Sequence, residues 1–242
     1  TLGSSDFFLC LLKSSHVIEW RPDFFSRIHW KTPIWCENIK FTFKKMLNIT
    51  IISLIKNSFY APLMFSGPSK FTISHTRVSN SLGIFLLNPK SFRIENSEFT
   101  RFQNTVIRFD SDDSGTCENK SNWISGCNFV NISNQIVKYN DNNNFNIKDV
   151  IISNCQYNGS LVQFRGGSLT TSQVCVTNCS NGKVFEIYGT RNHNEAKFSY
   201  VSITLCNSET EPQINKVGPN AVKFKNCNFT KNGYEFTSPI VY

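Results

Sequence analysis

The chain has 242 residues, 40% of them hydrophobic, which suffices for one large domain with a sizeable core. Alanine occurs only at Ala61, Ala196 and Ala221, whereas asparagine reaches 29, serine 28 and phenylalanine 22. Helices favour alanine and strands favour isoleucine and phenylalanine, so this balance excludes a helical bundle. The formal charge is +8, with Lys40, Lys44, Lys45, Arg93, Arg101, Arg108, Lys223 and Lys225 scattered rather than clustered. A basic surface that suits a polyanion is expected, and a dedicated nucleic-acid site is not. No apolar run approaches the roughly 18 residues that a membrane-crossing helix needs.

Residues 1–38 form the first expected unit. They open on the short apolar run FFLCLL at 7–12 and carry Trp20, Trp30 and Trp35 with Arg21, Pro22 and Pro33. The run has no basic residue before it and is too short for a secretory leader. The segment lacks the pattern that follows it and is expected to cap the rest, because an open sheet edge invites aggregation. A sugar platform built on the tryptophans is the second reading of this stretch.

From residue 39 to 242 one pattern recurs. An apolar residue is followed three positions later by Ser, Thr or Cys, and often by an aromatic two after that. It reads FRIENSEF at 92–99, WISGCNF at 123–129, VIISNCQY at 150–157 and VKFKNCNF at 222–229. VCVTNC at 174–179 and VSITLC at 201–206 carry the first half, and weaker matches lie at 52–60 and 71–78. The small residue falls at Ser58, Thr76, Ser97, Cys127, Cys155, Cys179, Cys206 and Cys227, at intervals of 18, 21, 30, 28, 24, 27 and 21. A second apolar run follows several of these: VIRF at 106–109, IVKY at 136–139, LVQF at 161–164 and VFEI at 184–187. Asn, Gly, Ser and Asp fill the gaps, as turns require.

Each run alternates apolar and polar residues, so one face is buried. Short strands joined by turns, two or three per 18–30 residues, make one coil of a solenoid. The predicted fold is all-β: a single-stranded parallel β-helix of about seven to eight irregular coils, with a further strand at Pro239–Tyr242 beyond which the coil is expected to continue. Stacked coils place equivalent residues over one another, so Cys127, Cys155, Cys179, Cys206 and Cys227 are expected in one internal column. A side chain at a sharp bend must be small and can bond the backbone there. Coil spacing exceeds the preferred disulfide geometry, so reduced, buried thiols are expected, with disulfides the alternative. There are nine cysteines, none in a Cys-x-x-Cys spacing, and Cys175 and Cys179 have no histidine nearby to complete a metal shell.

The Ile-x-x-Ser/Cys-x-aromatic units at 94–99, 124–129 and 152–157, with their Phe-led counterpart at 224–229, resemble the coil repeat of right-handed parallel β-helix proteins of the pectate-lyase-like superfamily. Cysteine stands where that family often carries a ladder asparagine. The Asn-, Phe- and Cys-rich character is similar to predicted surface β-helix proteins of parasitic protists. The resemblance implies a secreted or cell-surface location, and a binding or adhesion scaffold for a polyanionic glycan or a surface protein.

The same resemblance demands a test for an enzyme, since β-helices host polysaccharide lyases and hydrolases. The densest acidic cluster is Asp110, Asp112 and Asp113 in FDSDDSG, with Arg108 on the same run. Carboxylates of this kind can hold calcium and arginine can act beside them. The other reading is an exposed turn leaving a strand. No Gly-His or Arg-x-Lys segment of a galacturonase type, no Gly-x-Ser-x-Gly elbow and no phosphate-binding glycine loop is present. No catalytic residue and no cofactor is therefore assigned, and a carbohydrate-active enzyme stays as the alternative function. Asn48, Asn119, Asn131, Asn158, Asn178 and Asn228 each begin an Asn-x-Ser/Thr triplet, and those on outward turns are positioned to carry glycans in a secreted chain.

Overall fold

The computed structural model describes residues 17–20, 27–29, 34–37, 40–44, 48–50, 63–66, 70–75, 77–79, 83–89, 91–111, 121–189, 195–207, 213–218 and 221–230, with backbone pairing alone up to residue 71. The described residues are built from short strands. In chain order these are β1 (Val17–Trp20), β2 (Arg27–His29), β3 (Ile34–Glu37), β4 (Lys40–Lys44), β5 (Asn48–Thr50) and β6 (Leu63–Ser66). Then come β7 (Lys70–Ser74), β8 (Arg77–Ser79), β9 (Ile84–Leu87), β10 (Ser91–Glu95), β11 (Glu98–Thr100) and β12 (Ile107–Asp110). β13 (Ser121–Ser125), β14 (Asn128–Val130), β15 (Val137–Asp141), β16 (Asn144–Ser153), β17 (Gln156–Gly166) and β18 (Leu169–Thr177) follow. The last are β19 (Ser180–Gly189), β20 (Glu195–Thr204), β21 (Ile214–Val217), β22 (Ala221–Lys225) and β23 (Asn228–Thr230).

Every strand pairing is parallel, and each strand pairs with its counterpart one turn away. The result is a β-solenoid of two ladders, one of 15 strands and one of 8. β3, β6, β9, β12, β15, β17, β19 and β21 follow one another in the smaller ladder. The runs VIRF, IVKY, LVQF and VFEI supply its strands β12, β15, β17 and β19, as their alternation predicts. About five complete turns run from β10 to β21, and β1–β9, β22 and β23 extend the same ladders on either side, so the smaller ladder holds eight strands, in line with the seven to eight coils expected. Within the first 38 residues, β1, β2 and β3 pair in parallel with β4, β5 and β6. The remainder of that segment, including Trp30, lies outside the described residues. Among the described residues no helix is long and apolar enough to cross a membrane.

The core is a set of in-register columns. Ile94, Ile124 and Ile147 stack in one, Phe99, Phe129 and Ile152 in a second, and Phe109, Tyr139 and Phe164 in a third, all buried. Parallel strands hold equal side chains one rung apart, so aromatics meet face to face. Phe99 and Phe129 stack at 5.1 Å, and Tyr139 and Phe164 at 5.2 Å. Such pairs add about 0.5–1.5 kcal/mol to what burial alone supplies.

Two corners bend each turn of the larger ladder, and both are built the same way. One residue adopts a left-handed conformation and the next turns inward. At the first corner the left-handed residues are His75, Asn96, Gly126, Asp149, Gln173, Tyr200 and Asn226. At the second they are Arg101, Asn131, Asn154, Asn178 and Leu205. Asn, Asp and Gly suit this conformation best, which accounts for Asn96, Asn131, Asn154, Asn178 and Asn226 at these corners. The Ser or Cys that follows bonds the carbonyl two residues back, across the bend. Ser97 Oγ donates to Glu95 O at 2.7 Å, Cys127 Sγ to Ser125 O at 3.2 Å and Cys179 Sγ to Thr177 O at 3.3 Å.

The expected single column of five cysteines is therefore two columns. Asn128 pairs with Ile151, which puts Cys127 under Val150, and Val174 and Val201 continue that column to Cys227. Ser153 pairs with Val130, which puts Cys155 over Ile132, and Cys179 and Cys206 follow it at the second corner. The two corners share one local geometry and so select the same residue types, which is why their sequences align.

Candidate binding face

The outward side of the eight-stranded ladder carries a set of interacting polar side chains. Two rows run along it, side by side. In the first, Phe85, Arg108, Lys138, Gln163, Glu186 and Asn215 are successive partners on neighbouring strands. In the second, Leu87, Asp110, Asn140, Arg165, Tyr188 and Val217 are. Strands in such a ladder lie about 4.8 Å apart, so each row offers a regular series of side chains along the solenoid axis.

The carboxylates on this face are already engaged. Asp110 Oδ2 accepts from Arg108 Nε at 2.7 Å. Glu186 Oε1 accepts from Lys183 Nζ at 3.0 Å, and its Oε2 accepts from Gln163 Nε2 at 2.9 Å. Ser160 Oγ reaches Glu186 Oε2 at 3.4 Å and accepts from Gln135 Nε2 at 3.2 Å. Burial alone would raise the Glu186 carboxyl, but the donors from Gln163, Lys183 and Tyr188 outweigh it and hold the group below the usual carboxylate range. The cations differ. Among the described residues Lys138 and Arg165 have no carboxylate within ion-pair distance. Arg165 instead lies over the ring of Tyr188 at 4.6 Å, and Arg108 over Phe85 at 4.9 Å. Each stack presents a flat guanidinium with its remaining donors toward solvent.

Of the residues singled out in the sequence, Arg108 and Asp110 meet on this face as an ion pair, while Asp112 and Asp113 lie outside the described residues. Among the described residues no three His, Cys, Asp or Glu side chains are gathered to hold a metal ion. Lys138, Gln163, Arg165, Lys183, Glu186 and Tyr188 were missed. Their signal was present in the aligned runs VIRF, IVKY, LVQF and VFEI, whose third letters are Arg108, Lys138, Gln163 and Glu186. Reading the polar letters of those runs as one column would have found the first row.

The chain belongs to the right-handed β-helix family: the family model for the right-handed β-helix region matches residues 44–180. Neither the curated proteins nor the solved structures gave a match.

Proposed function

We propose that the chain is a non-enzymatic, secreted or surface-displayed β-helix that holds an acidic polysaccharide along the outer face of its eight-stranded ladder. The observation that carries this reading is the pair of uncompensated cations, Lys138 and Arg165, beside the Tyr188 ring. A linear polyanion lying along the axis meets the Arg108–Phe85 stack, Lys138 and the Arg165–Tyr188 stack in succession. Guanidinium groups bind carboxylates and sulfates through paired donors, and the aromatic faces suit the flat side of a sugar ring.

An enzyme on this face would need a carboxylate free to bind a cation or move a proton. Asp110 and Glu186 are both tied to basic partners, which favours binding over catalysis. The test is titration of the purified chain with polygalacturonate, with neutral dextran as control. The proposal expects binding to polygalacturonate alone and a loss of about tenfold or more, equal to about 1.4 kcal/mol, in the Lys138→Ala/Arg165→Ala variant. Binding that is indifferent to both substitutions, or calcium-dependent cleavage lost in Asp112→Ala, overturns it.

A further inference from the structure

We infer that Asn131 and Asn228 are N-glycosylation sites, an assignment that rests on the secreted reading and adds to it a covalent modification. Four of the six Asn-x-Ser/Thr triplets start at described side chains: Asn131, Asn158, Asn178 and Asn228. All four asparagines are exposed, so exposure alone does not separate them. Their neighbours do.

The triplet needs a hydroxyl that the transferase can reach. In the Asn158 triplet, Ser160 is 4% exposed and its hydroxyl is bonded to Gln135 and Glu186. In the Asn178 triplet, the asparagine Nδ2 donates to Asn154 Oδ1 at 2.7 Å, so the nitrogen that would carry the sugar points along the corner column. In the Asn131 triplet, Ser133 is exposed and Asn131 stands at the second corner in a left-handed turn with φ of 54°. In the Asn228 triplet, Thr230 is exposed and Asn228 points outward from β23. Neither Asn131 nor Asn228 has a described side-chain bond to give up.

Their placement also fits the binding face. Asn131 sits on a corner of the larger ladder and Asn228 on that ladder's outer side, while the rows from Arg108 to Tyr188 contain no triplet. Glycans at these two positions clothe one side of the solenoid and leave the eight-stranded ladder bare. In the reaction the Nδ2 of asparagine forms a bond to C1 of an oligosaccharide carried on a lipid pyrophosphate. The glycosyl C–O bond breaks, the pyrophosphate leaves with its electron pair, and Nδ2 loses one proton.

The experiment expresses the full chain behind a heterologous secretory leader in eukaryotic cells and digests the secreted protein with peptide N-glycosidase in heavy-oxygen water. The expected result is isotope-labelled aspartate at 131 and 228 in most molecules, removed at 131 by Ser133→Ala and at 228 by Thr230→Val. A folded, secreted chain with unlabelled asparagine at both positions overturns the assignment. The readout involves no polysaccharide. A glycosylated chain that ignores polygalacturonate sinks the binding proposal alone, and an unglycosylated chain that binds it sinks this one alone.

Discussion

Cys155 stands over Ile132 and not over Cys127, although the two cysteines occupy the same place in nearly identical sequences. The consequence is a stack of three thiols, Cys155, Cys179 and Cys206, at the second corner, with Cys127 and Cys227 at the first. In the stack each sulfur lies within reach of the carbonyl two residues back and of the thiol on the next turn. All three are buried, whereas Cys175 points outward and is exposed. Site-resolved alkylation of the native protein is expected to modify Cys175 first among the cysteines whose side chains are described. Cys155, Cys179 and Cys206 should react about 100-fold more slowly or less, the protection given by a local opening of about 2.7 kcal/mol.

Alkali should unfold the solenoid before it would unfold a chain without these thiols. Burial pushes Cys127 up to about 12, and bonding to Cys155 together with burial pushes Cys179 up to about 12. A group whose folded pKa is raised gives stability that is complete below its unfolded value, near 8.5, and is lost as pH climbs toward the folded one. Denaturant titrations between pH 8 and 12 should show falling stability, and the fall should be smaller in Cys127→Ser/Cys179→Ser measured against its own value at pH 8. Equal slopes in both proteins would contradict the assignment.

The fold was legible because its rule is local. Alternation in VIRF or VFEI marks a strand with one buried face, and asparagine before Cys155 or Cys179 marks a left-handed corner. The stacking frame was not legible. The 28-residue step from Cys127 to Cys155 is one full turn to Val150 plus the offset between the two corners. Nothing local separates the corners, since Cys127 and Cys155 bond backbone carbonyls in the same way. The binding face was half visible: Arg108 and Asp110 drew notice as a charge cluster, while Arg165 and Tyr188 gain meaning only when strands from different turns lie side by side.

Leu205 and Tyr200 break the corner rule. Both hold left-handed backbone, with φ of 54° and 55°, and both are half exposed, at 50% and 57%. A branched or bulky side chain in this region costs about 1–2 kcal/mol. Leu205→Asn restores the residue type of Asn154 and Asn178 and should stabilise the protein by about 0.5–1 kcal/mol, raising Tm by about 1–4 °C. Scanning calorimetry reads this directly, and an unchanged or lower Tm counts against the corner geometry.

One buried polar network interrupts the apolar columns. Asn122 accepts from the Phe92 backbone N–H at 2.9 Å and bonds Tyr139 Oη at 2.9 Å, and Tyr139 in turn donates to Asn143 O at 3.0 Å. Tyr139→Phe keeps the ring stack but strands the Asn122 amide, at a cost of about 1–3 kcal/mol. Adding Asn122→Leu removes the stranded group as well. Chemical denaturation of the single and double variants is expected to show less than additive loss, and strict additivity would mean that the two side chains are not coupled.

The most direct test of the binding face is hydroxyl-radical footprinting of the chain with and without saturating polygalacturonate. Tyr188 and Phe85 lie on the eight-stranded ladder, whereas Trp123 and Tyr200 lie on the larger one. Bound polysaccharide is predicted to slow oxidation of Tyr188 and Phe85 several-fold and to leave Trp123 and Tyr200 unchanged. Protection of Trp123 or Tyr200 with Tyr188 left fully reactive would place the ligand on the other ladder and contradict the account.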